Sequence, residues 1–85
     1  MEEKLTPAEA WANFFEWIQA AERWAKLSYA QRNRLIIADR DSRGERKRVS
    51  GTVYSLGVER MEKILNEFAP GRYRFERHTD IFLMK

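Results

Sequence analysis

The sequence predicts an α+β fold built from one domain spanning residues 1–85. Three observations predict it. A capping box opens a long amphipathic helix at residue 6. A second helical period runs through residues 57–69 and stops at Pro70-Gly71. Strict alternation at 72–76 followed by an apolar run closes the chain as a hairpin.

The expected order is α-β-β-α-β-β, an antiparallel sheet with two helices packed on one face. The first helix covers residues 6–27. Thr6 accepts from the backbone N–H of Glu9, the Glu9 side chain reaches back, and Pro7 fills the first helical position. Trp11, Phe14, Ile18, Ala21 and Ala25 form one face, widened by Phe15, Trp17 and Trp24. The apolar arc then covers roughly 180°, where a helix on a sheet needs about 100°. The extra width fits either packing into a curved sheet or a partner or homodimer surface carrying Trp17 and Trp24.

Residues 34–56 read as a β-hairpin. Leu35-Ile36-Ile37-Ala38 is a β-branched run, Val49 to Tyr54 the returning strand, and Asp41-Ser42-Arg43-Gly44-Glu45 the turn. A short helix from Tyr29 to Asp39, capped by Ser28, competes for the same residues, and periodicity over so short a run leaves both open. With that helix the chain becomes winged-helix-like: three helices before a C-terminal hairpin. The 57–69 helix would then read DNA, a role opposed by its outward Glu59, Glu62 and Glu67.

Val58, Met61, Leu65 and Phe68, with Ile64 beside them, mark the 57–69 helix, for which Ser55 is the expected cap. In the last segment Tyr73 and Phe75 face the core, Arg72, Arg74 and Glu76 face out, and residues 81–84 form the buried partner strand.

Composition restricts function. The 85 residues include no Cys and one His. Disulfides, zinc fingers, iron–sulfur sites and thiol nucleophiles are thereby excluded. No GxxxxGK[ST] or GxGxxG motif appears, so no nucleotide cofactor is expected. Neither a metal, a small-molecule substrate nor an enzymatic activity is signalled. Asp39 or Asp41 with Glu45 and Lys47 has the letter order of a metal nuclease. A single turn and its flanks are the wrong scaffold for that site. His78 and Asp80 lack a nucleophile beside them. The acidic N-terminus and the absence of a long apolar run predict a cytoplasmic protein with no membrane segment.

The net charge of +3 is unevenly spread. It is −2 over residues 1–28 (three basic, five acidic), +4 over 29–50 (seven basic, three acidic) and +1 over 51–85 (six basic, five acidic). The candidate site is therefore the run Arg40, Arg43, Arg46, Lys47 and Arg48, fanned from a hairpin tip, with Arg72 and Arg74 extending it across a sheet face and Tyr54 as a stacking ring. Arginine suits phosphate contacts, and such a cluster releases counterions. Asp39, Asp41 and Glu45 dilute it.

These features predict a small basic non-enzymatic module that contacts nucleic acid. The alternative is a regulator or inhibitor of a nucleic-acid enzyme that engages an acidic protein surface through the same arginines. The compact, highly charged α+β type resembles the small accessory proteins of phages and other mobile elements.

Overall fold

The computed structural model describes residues 1–48, 57–77 and 80–85, with the backbone alone at 43–48. The element order is β1 (Glu2–Leu5), α1 (Pro7–Ile18), α2 (Ala21–Ala25), α3 (Tyr29–Arg48), α4 (Val58–Phe68), β2 (Tyr73–Glu76) and β3 (Asp80–Met84). The three strands form one antiparallel sheet in the order β1-β3-β2. The fold is α+β, but the expected α-β-β-α-β-β order is replaced.

The largest correction is the 34–56 hairpin. Its predicted first strand and turn lie in a 20-residue helix, α3. Good helix formers surround the β-branched run: Ala30, Gln31, Arg32 and Arg34 before it, Ala38 and Arg40 after. The helix opens on a second reciprocal cap. The Gln31 backbone N–H donates to Ser28 Oγ at 3.2 Å, and the Ser28 N–H donates to Gln31 Oε1 at 2.8 Å. Leu35, Ala38 and Ser42 then fall on one helical face and are fully buried. A strand would have sent Leu35 and Ala38 to opposite faces. The short-helix alternative is thus observed, prolonged to Arg48; it precedes a C-terminal hairpin, as in the winged-helix-like reading, but the N-terminal β1 belongs to no version of the prediction. The returning strand at Val49 to Tyr54 lies outside the described residues.

The predicted 6–27 helix is two helices. Ala20 adopts an extended backbone (φ −56°, ψ 135°) between α1 and α2. Alanine favours helix, so tertiary packing overrides local propensity here. The start is as expected: both hydrogen bonds of the Thr6–Glu9 capping box form, at 2.9 and 3.1 Å.

β1 carries no strand signal in its Glu-Glu-Lys-Leu sequence. It forms because β3 offers an unpaired edge whose backbone groups need partners. Glu2 pairs with Met84 and Leu5 with Ile81. α4 follows the predicted span, but Gly57, at φ +76°, is its N-cap in place of Ser55, which lies outside the described residues.

One cluster forms the core. Trp11, Phe14 and Ile18 of α1, Leu35 and Ala38 of α3, and Met61, Ile64 and Leu65 of α4 meet Leu5, Tyr73, Ile81 and Leu83 of the sheet. The alternating strand residues Glu2, Lys4, Arg74, Glu76, Asp80 and Phe82 occupy the other sheet face. Among the described residues, no helix is long and apolar enough to cross a membrane.

Candidate nucleic-acid interface

The basic segment sits on α3, so its chemistry follows from helical register. The inner face holds Leu35, Ala38, Ser42 and Asp39, the last only 6% exposed. Asp39 Oδ1 accepts a hydrogen bond from Trp11 Nε1 at 3.0 Å, within the core. One of the three acids that dilute the basic run therefore points inward. At about 100° per residue, positions 41 and 45 share one flank of the helix, together with position 34.

Two upstream arginines are structural. Arg32 donates to the carbonyls of Trp24 (3.0 Å) and Ala25 (3.2 Å), satisfying the last turn of α2 with a cation where the helix dipole favours one. Arg34 pairs with Glu67 at 2.5 Å and lies 4.8 Å from the Phe68 ring centroid, tying α3 to α4.

Arg40 differs. It is exposed and makes no ion pair among the described residues. Its neighbours along the helix are Ile36, four positions earlier, then Asn33 and Tyr29. All four are exposed, Tyr29 by 85% and Ile36 by 47%. Spacing of 4, 3 and 4 puts them on one line, and the next steps of 3 and 4 reach positions 43 and 47. The backbone at Arg43, Arg46, Lys47 and Arg48 is helical; their side chains lie outside the described residues. The hairpin tip is thus corrected to a helix.

Arg72 and Arg74 have partners of their own. Arg72 Nη2 donates to Asn13 Oδ1 at 3.1 Å, and its guanidinium lies 4.6 Å from the Trp17 centroid. Arg74 pairs with Glu2 and, at 2.7 Å, with Glu76, over the Phe82 ring at 4.3 Å. Acceptors on Glu2 and then Glu76 raise the guanidinium pKa. Lys4 pairs with Asp80 at 3.5 Å on the same sheet face. The expected basic sheet face instead carries two cations, Lys4 and Arg74, against three carboxylates, Glu2, Glu76 and Asp80. Among the described residues, no hydrogen bond or ion pair joins it to the α3 line. Tyr54 and His78 lie outside the described residues.

Trp17 and Trp24 are half-buried against the core. Arg23 lies 4.4 Å from the Trp17 centroid and donates to the Trp17 carbonyl at 3.4 Å. Arg32 lies 5.9 Å from the Trp24 centroid. The over-wide apolar arc has a local cause: Trp24 belongs to α2, and two guanidiniums pack on the Trp17 ring.

Tyr29, Asn33 and Ile36 escaped the sequence reading because the expected hairpin began at residue 34, which left Tyr29 and Asn33 outside it and put Ile36 in a strand. The signal that finds them is the 4-3-4 spacing leading into Arg40, behind the Ser28-x-x-Gln31 box. Comparison with family models, curated proteins and solved structures returns no match.

Proposed function

We propose that this chain is a small non-enzymatic module that binds nucleic acid through the basic half of α3, Arg40 to Arg48. The observation that carries the reading is the inward turn of Asp39 while Arg40 stays exposed and unpaired among the described residues. Helical register separates acids from the line of positions 40, 43 and 47, so the field along that line is more positive than composition implies. By the same register position 46 falls with Asp39 and Ser42 and position 48 with Asp41 and Glu45, so the line itself carries three cations.

Three cations on that line that neutralise three phosphates give a slope of about −2.7 in log K against log salt on duplex DNA. The test is binding across a salt series, for the native chain and for an R40A/R43A/K47A variant. A shallower slope by about 2–3 in the variant supports the reading. A flat plot for the native chain, or an unchanged variant, overturns it.

The exposed Tyr29 and Ile36 beside Arg40 favour one alternative, an acidic protein surface engaged by a regulator or inhibitor of a nucleic-acid enzyme. That partner would be retained from host extract after nuclease treatment.

A further inference from the structure

Among the described residues, the exposed side chains of Tyr29, Asn33, Ile36 and Arg40 make no hydrogen bond or ion pair. Nothing in the core requires an isoleucine half in solvent. On the basis of the nucleic-acid reading above, we infer that α3 is a groove-reading helix for B-form duplex DNA, with Asn33 and Ile36 as its base-contacting, specificity-determining residues.

Geometry and chemistry favour this ligand. From position 29 to 47 the line runs for about 27 Å at 1.5 Å per residue, on a helix about 10–12 Å wide. The major groove of B-DNA is about 12 Å wide. An amide side chain matches adenine, an apolar one the thymine methyl, and arginine matches guanine. Asn33, Ile36 and Arg40 supply these three in succession. The more cationic end then lies along phosphates, which set position and add salt-dependent affinity.

Other occupants fit less well. The major groove of duplex RNA is too deep and narrow for side chains to read. Single strands are held by several stacked aromatics; Tyr29 is the only exposed aromatic among the described residues. A second copy seated parallel on the same line would bring position 40 and the basic positions 43 and 47 against their equivalents, and one seated antiparallel would set them opposite positions 36, 33 and 29, which carry no counter-charge.

The test is sequence selection by the full chain from a randomised duplex library. Anisotropy follows on the enriched duplex, a scrambled duplex, the matching RNA duplex and the single strand. An enriched motif is expected. N33A and I36A should each weaken binding to the enriched duplex by about tenfold, within the range of one lost base contact, with less than a twofold change on the scrambled duplex. R40A should weaken both. Because Asn33 and Ile36 are exposed, N33Q and I36T serve as further variants that preserve α3. Salt-dependent binding with no enriched motif overturns the groove assignment and leaves the basic-helix reading standing. RNA or single strands bound as tightly as the enriched duplex overturn it likewise. No binding to any of the four at low salt overturns both.

Discussion

The indole of Trp11 donates to the carboxylate of Asp39 at 3.0 Å, linking α1 to α3 across 28 residues of sequence. Trp11 is 3% exposed and Asp39 6%, so neither group is left to bulk water. The contact fixes the rotation of α3, and that rotation decides which residues face solvent. The buried bond therefore sets the orientation of the candidate interface.

Asp39→Ala removes the acceptor and leaves the Trp11 N–H unsatisfied in the core. A loss of about 1–3 kcal/mol is expected in urea unfolding. Asp39→Asn retains an acceptor oxygen and should cost less than the alanine variant. Equal midpoints for the native chain and Asp39→Ala would show that the bond does not hold α3.

The start of α1 rests on its capping box. Thr6→Ala should cost about 1 kcal/mol. The Glu9 carboxyl lies below its ordinary value of 4.5, chiefly through the Thr6 backbone N–H and then the Thr6 hydroxyl. A depressed carboxyl stabilises the fold above its ordinary pKa, and this is lost as pH falls through the folded value. Acid unfolding of Glu9→Gln should accordingly show a shallower dependence on pH below 4.5 than that of the native chain.

Tyr73 governs the alkaline side. Burial pushes its phenol above the ordinary 10.0, against a smaller opposing effect of Arg72. The hydroxyl donates to Asn13 Oδ1 at 2.5 Å. The neutral form is the one the fold accepts. Its contribution is complete below pH 10.0 and declines as pH rises through the folded value. Tyr73→Phe should lower stability by about 1 kcal/mol near neutrality and weaken the fall above pH 10. A variant whose stability still declines as steeply there would assign the alkaline transition to another group.

The Arg34–Glu67 pair bridges α3 and α4 at 2.5 Å, but both side chains are half exposed. Solvent screening limits such a pair to under about 1 kcal/mol. Glu67→Gln should therefore shift the urea midpoint far less than Asp39→Ala. The reverse order would make the surface pair, and not the buried bond, the principal anchor of α3.

Legibility in the sequence tracked the reach of the interactions. The Thr6–Glu9 box, the α4 period through Met61 and Leu65, and the Tyr73–Phe75 alternation are written within a few residues. Each needs only local spacing to be recognised. The Leu35-Ile36-Ile37 run is short enough to fit either period, and what separates strand from helix is the shared burial of Leu35, Ala38 and Ser42. The break at Ala20 has no local breaker, and Glu2–Leu5 becomes a strand only because β3 lies alongside it.

The candidate site divides the same way. The sequence alone determined that positive charge concentrates between residues 29 and 50, that the chain lacks cysteine chemistry, and that helices and an antiparallel hairpin coexist. These are properties of composition and near-neighbour spacing. Tertiary structure decided which cations are committed and which stay outward. Arg34, Arg72 and Arg74 are held by Glu67, Asn13 and Glu2, partners 33 to 72 residues away. Asp39 turns in to Trp11, and Arg40 is left on an exposed line with Ile36 and Asn33. Charge is a sum over residues, but its direction in space depends on which face of a helix finds the core.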